Sequence, residues 1–463
     1  MRKLHKIVLP LALLAMSLSV KAQEVSPVGF MRMNPFQINS NISVDLPYRA
    51  YFSIGLGTLN MGIVNTGFHY DNVFDFDAQG YPVTVNLKNF ANSLKETNTL
   101  GVRLQENVLS FGFRVKKQMF HFAYNVHVNT DFGYNDGLFK FLANGNAAFV
   151  GEDNPAEIKL NLNMQSYQEF AFGYQLRLNE HLSIGARTKL LFGAANVKTD
   201  ALSLRLYTDA DTYALRLDKD IRMKFSLPMS ISMDEGGAFQ IGKTNVGSLF
   251  KDNIGVAFDL GAEYRFDEHF SAVAAVNDLG FIKWKSNNRQ VQVNLNDVGQ
   301  FYDNGSFYFD GLDVEQIQML ASDEQYQKDF MDTLGQYVSV DFDEMESYTT
   351  SLYTNMLLRG SYDIDAYNRF SAQLDGSFIG GSFRPAFTVA YGGSFFKMLD
   401  VCVTYSMKKQ SFDNVGVGLA GNFGVFHIYL ATNNLLGFFN PLNRDGINAQ
   451  FGILFNIRDK KKM

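Results

Sequence analysis

Residues 254–266, IGVAFDLGAEYRF, alternate strictly. Ile254, Val256, Phe258, Leu260, Ala262, Tyr264 and Phe266 fall on one face, and Gly255, Ala257, Asp259, Gly261, Glu263 and Arg265 on the other. Side chains of a strand point to opposite faces in turn. The segment therefore predicts a strand with one continuous apolar face and one face of small and charged groups. Its thirteen residues span about 43 Å, which at a tilt of about 40° still rises about 33 Å. Strands of soluble domains usually hold about five or six residues. The same alternation runs through Phe122–Asn129, Glu169–Leu178, Leu182–Leu190 and Phe451–Ile457.

Candidate strands lie near 100–116, 118–130, 165–178, 181–195, 201–217, 220–232, 253–266 and 268–278, and again from about 351 to 458. Pairs such as those around Lys117-Gln118 and Asn179-Glu180 are joined by a couple of polar residues, as antiparallel hairpins require. Long alternating strands with lipid on one side and water or cargo on the other specify a transmembrane β-barrel. The fold class read from the chain is all-β: an antiparallel transmembrane barrel of about fourteen strands, within a range of twelve to sixteen.

Three stretches break the rhythm. Residues 1–22 begin with Arg2, Lys3 and Lys6, continue as the apolar run Ile7–Val20, and end on Val20-Lys21-Ala22. This pattern predicts a cleaved secretory signal peptide. Residues 23–47 carry Pro27, Pro35 and Pro47 without sustained alternation, which predicts an N-terminal plug or a periplasmic arm ahead of a barrel over 48–463. Residues 285–349 are acidic, and Val314, Ile317, Leu320, Ala321, Phe330, Met331, Leu334 and Tyr337 give a helical stripe. A partly helical insertion is expected there, as a cap or a docking element. Residues 84–98 have the spacing of a short helix.

Mean hydropathy of −0.10 does not oppose a barrel, since only alternate residues face lipid. The 43 Phe and 22 Tyr suit a lipid face with aromatic girdles. A net charge of −6 leaves no basic footprint for nucleic acid. The single cysteine, Cys402, excludes a disulfide framework.

The charged residues decide the register. Glu169, Arg177, Arg187, Lys189, Arg216, Asp259, Glu263 and Arg265 fall on the non-apolar faces. An Arg or Lys near the bilayer midplane costs about 2–4 kcal/mol, so these are the candidate lumen-facing residues. They form either an ion-pair network across the lumen or a charge-lined path. His121 and His127 are six residues apart, about 20 Å in a strand, too far to share a metal. No phosphate loop, metal-ligand spacing or nucleophile with its base appears. Neither an enzyme nor a cofactor is expected.

Val276-Asn277-Asp278-Leu279-Gly280-Phe281-Ile282-Lys283-Trp284, Leu182–Arg187 and Thr188–Gly193 resemble an outer-membrane barrel family that carries only the label of a domain of unknown function. That family is similar to FadL-like fatty-acid transporters and to PorV-like barrels of type IX secretion. Asn34-Pro35 resembles the start of the FadL-like plug, although Phe36 stands where those transporters usually have Ala. The resemblance implies a bacterial outer-membrane protein in contact with lipid. It implies passage of a small, hydrophobic molecule, or else a non-transporting anchor that docks a protein partner through residues 301–340.

Overall fold

A computed structural model describes residues 25–458 apart from 33, 47, 234–238, 245–249, 296–301, 304–305, 310–318, 320–321, 324, 327–328, 330–337, 380–381, 397 and 409–410. The signal peptide expected over 1–22 and most of the stripe at 313–337 lie outside the described residues.

Among the described residues, fourteen antiparallel strands close into a barrel. They are β1 (Tyr48–Asn65), β2 (Asn98–Val115), β3 (Gln118–Tyr134), β4 (Ala156–Arg177), β5 (Leu182–Thr208), β6 (Ile254–Arg265) and β7 (Phe270–Trp284). The remainder are β8 (Thr354–Asp363), β9 (Asn368–Ile379), β10 (Ser382–Phe395), β11 (Leu399–Lys408), β12 (Ser411–Phe423), β13 (Phe426–Thr432) and β14 (Gly446–Arg458). Each pairs with the next, and β14 closes on β1 through Phe455 opposite Phe52 and Ile447 opposite Ile63. Closure removes the exposed edges that an open sheet would present.

The two ends differ. At one end the strands meet in short turns near residues 116, 179, 267, 365, 396 and 424. Several turns are closed by a side chain in the Asx manner. Asn179 accepts from the N–H groups of His181 and Leu182, Asp267 from His269 and Phe270, and Asp365 from Tyr367 and Asn368. The Phe270 N–H is the main reason the Asp267 carboxyl sits below its ordinary range, and the Asn368 amide plays that part for Asp365. The other end carries the long connections, including the helices Leu87–Ser93 and Gly137–Asn144. The first of these falls where the spacing of 84–98 places a helix.

The apolar faces point outward. Ile254, Val256, Phe258, Leu260, Tyr264 and Phe266 are all exposed, whereas Ala257 and Asp259 on the opposite face are fully buried. Cross-strand aromatic pairs gather near the short turns, with centroids 5.3 Å apart for Phe113–Phe120, 4.7 Å for Phe270–Tyr362 and 4.9 Å for Phe426–Phe455. A tall apolar band with an aromatic girdle matches the depth of a bilayer, and the chain is an outer-membrane β-barrel. Leu260→Arg would set a guanidinium in that band. It should lower stability by about 2–4 kcal/mol, read as a shift of the urea midpoint for the barrel folded in lipid vesicles.

One strand departs from the sequence reading. Residues 181–195 and 201–217 were expected as two wall strands, but 182–208 form the single strand β5, with an irregularity in pairing at Asp200. Its outer part leaves the wall and pairs with Leu215–Ser226, which in turn pairs with Asn288–Leu295, and that with Val338–Glu344. These segments form a sheet beyond the rim, so alternation persists where no lipid is present.

Candidate functional site

Residues 25–46 lie inside the barrel. Two 3-10 turns, Pro27–Phe30 and Pro35–Asn39, each begin on a proline, whose fixed φ and missing N–H suit a first helical position. Ser26 caps the first by accepting from Val28 N–H, and Asn34 caps the second by accepting from Phe36 N–H at 3.0 Å. Val25, Val28, Phe30, Met31, Phe36, Ile38, Ile42 and Leu46 are all buried and form one cluster with inward wall residues such as Ala386, Cys402, Tyr429 and Leu454. Asn34 and Pro35 are buried in this arrangement.

Wall side chains grip the backbone of the segment. Arg359 donates to Gly29 O at 2.6 Å and lies over the Phe30 ring, 4.2 Å from its centroid. Arg187 donates to Ile38 O at 2.7 Å, Asn277 to Ser40 O at 2.9 Å and Gln175 to Ser43 O at 3.1 Å. At the short-turn rim Asp45 joins Arg114, at 3.0 Å, to Arg177, and Arg32 pairs with Asp363 at 3.2 Å.

A buried charge cluster spans β4 to β7. Lys189 Nζ lies 3.0 Å from Asp259, 2.5 Å from Asp278 and 3.7 Å from Glu169. Arg187 reaches Asp259 at 3.1 Å. Glu169 also accepts from Asn125 at 2.8 Å and lies 3.2 Å from His127. Glu169, Arg187, Lys189 and Asp259 are buried, and buried charges persist only when paired and hydrogen-bonded, whereas Asp278 is partly exposed.

Above the segment, toward the long connections, is a cavity of about 320 Å³. The segment contributes Val25, Val28, Phe36 and Ser40 to its floor; the walls carry Glu169, Arg187, Lys189, Asp278, Arg359 and Asp375. Arg187 Nε, Asn277 Oδ1 and Asn355 Oδ1, all on lining residues, have no hydrogen-bond partner among the described residues.

The candidates from sequence therefore separate. Glu169, Arg187, Lys189 and Asp259 come together in the interior. Arg177 stands at the rim with Asp45, Glu263 lies on the inner face of β6, and Arg265 is exposed at the end of that strand. Arg216 is not in the lumen. It lies on Leu215–Ser226, beyond the wall, paired with Glu152 at 2.6 Å and stacked over Tyr207. Sequence reasoning passed over Asn277, Asn355, Arg359 and Asp375. They stand on the inner faces of their strands, but nothing in their spacing showed that a cavity would lie beside them.

The model of a family of unknown function, DUF5723, matches residues 44–433. The chain belongs to this family. The match takes in β1 to β13 of the DUF5723 barrel and leaves most of the inner segment outside it. No curated protein matches the chain in sequence. Among solved structures it is similar to a FadL homologue of Pseudomonas aeruginosa, at TM-score 0.44 and 8% identity, covering 95% of this chain and 100% of that one. It is similar to the Pseudomonas putida toluene transporter TodX at TM-score 0.40 and 8% identity, covering 94% and 97%. An outer-membrane channel of Pseudomonas putida F1 gives TM-score 0.30 and 10% identity, covering 89% and 98%.

Proposed function

We propose that this DUF5723 barrel passes a small molecule across the outer membrane through its lumen, with residues 25–46 as a plug. An export signal over 1–22 would deliver it there. The observation that carries the reading is the cavity of about 320 Å³ on one side of the plug, with the short-turn rim on the other. A barrel that served only as an anchor needs an apolar outside and a filled inside. This one keeps a hollow lined by charged and amide side chains.

The plug is held by side-chain donors to its carbonyls, by the ion pairs of Arg32 and Asp45, and by the apolar cluster it shares with the wall.

The test is flux into proteoliposomes. Removing residues 25–44, which keeps Asp45 between Arg114 and Arg177, should raise arabinose entry at least tenfold while the barrel stays folded. Entry equal to that of the full chain would overturn the plug.

A further inference from the structure

We infer that the solute taken by the lumen cavity is small, polar and without net charge, of the class of a sugar or a zwitterionic amino acid, and not a hydrocarbon. The inference rests on the proposed passage and names what passes.

The walls of the cavity decide it. Lys189 and Arg187 face it together with Glu169 and Asp278, while Arg359 and Asp375 face it from β8 and β9. Both signs of charge stand on each of these neighbouring stretches of wall. A solute with a net charge would meet repulsion from half of these groups wherever it lay. A solute with none, but with donors and acceptors, finds partners all round.

The uncharged polar lining points the same way. Asn277 and Asn355 are directly opposite on β7 and β8. Each amide already donates, to Ser40 O and to Ser377 Oγ respectively, and each leaves its Oδ1 without a donor. Arg187 uses both terminal nitrogens, on Asp259 and Ile38 O, and leaves Nε free. Those three atoms are themselves closed off from the hollow, but Asn60, Gln105, Asn129 and Asn355 are half-buried residues that line it and bring amide groups to its walls. Water or a hydrogen-bonding solute satisfies them. An apolar solute of the same size displaces that water and leaves each of them unmet, a loss comparable to the whole net worth of a hydrogen bond. The apolar lining from the plug, Val25, Val28 and Phe36, covers the floor and cannot compensate at the walls.

The experiment uses the full chain without its export signal, in proteoliposomes, with arabinose and L-serine as flux probes and toluene as competitor. Both polar probes should enter at a saturable rate that toluene leaves unchanged. Asn355→Leu, which keeps the volume and turns a half-buried amide of the wall apolar, should slow both probes at least tenfold. Asn355→Asp, which keeps an acceptor, should retain most of the rate. Gel mobility without heating confirms that each variant is a folded barrel. If the probes enter but Asn355→Leu is as fast as the parent, or toluene blocks them, the polar class is wrong and passage stands. If neither probe enters through the full chain or through the variant lacking 25–44, the passage reading falls and this inference with it.

Discussion

Asp259→Ala should destabilise the barrel by about 3–5 kcal/mol, the cost of leaving buried charge without its partner. Asp259 is fully buried. One carboxylate oxygen accepts from Arg187 at 3.1 Å, and the other lies 3.0 Å from Lys189 and accepts from the Asp278 N–H at 2.8 Å. Those contacts join β5, β6 and β7. They also fix an irregularity: Asn277 and Asp278 together oppose Asp259, between the pairs Phe258–Leu279 and Leu260–Val276, so β7 carries one extra residue. Asp278 adopts φ +58 there, a left-handed conformation that Asp tolerates better than most residues. Removing Asp259 takes the counter-charge from Arg187 and the cap from the bulge in one step. Urea unfolding in lipid vesicles, followed by the fluorescence of the single tryptophan, Trp284, measures the loss. Joint replacement of Glu169, Arg187, Lys189, Asp259 and Asp278 by apolar residues of similar size should recover much of it, because the penalty lies in the unpaired charge. An Asp259→Ala barrel as stable as the parent would show that the cluster is solvated.

The strand count was legible because lipid imposes a rule that every spanning residue obeys. Apolar and other residues alternate from Ile254 to Phe266, and the structure exposes one set and turns the other inward. The same rule misled at Arg216. Leu215–Ser226 alternates as a sheet strand but lies beyond the rim, where an arginine faces water at no cost. Likewise the break at Asp200 reads as a turn, yet β5 runs through it as one strand of 27 residues. Glu169, Arg187, Lys189 and Asp259 could be assigned to inner faces one strand at a time. Their meeting could not, because it depends on which strands are neighbours and in what register, and β5 pairs with β6 across a connection of some forty-five residues. The Asn34-Pro35 step was visible as a break in the alternation, but what would cover it depends on residues more than a hundred positions away.

Least visible of all was the part played by three glycines. Gly173, Gly185 and Gly261 read as the small residues of twisted strands, but they stand on adjacent strands, with Gly185 directly opposite Gly261, and Ile42 sits on them. A Cβ at Gly173 would lie 3.0 Å from Ile42 Cδ1, an end that can rotate away. A Cβ at Gly261 would lie 2.7 Å from Asn41 Oδ1. At Gly185 it would lie 2.6 Å from Ile42 O and 2.7 Å from Ile42 C, backbone atoms that cannot move alone. Gly185→Val should therefore lift residues 38–44 off the wall. The hydrogen bonds from Arg187, Asn277 and Gln175 to Ile38, Ser40 and Ser43 hold that stretch. Together they amount to about 3 kcal/mol, which the substitution removes while the wall keeps its pairing. The expected outcome is arabinose entry approaching that of the variant lacking 25–44, with faster proteolysis within residues 38–46. Gly360 offers the control. It lies on the outer face of β8, where an added Cβ meets nothing within 4 Å, so Gly360→Val should leave both flux and cleavage unchanged. Equal behaviour of the two valine variants would mean that the glycine seat does not hold the segment in place.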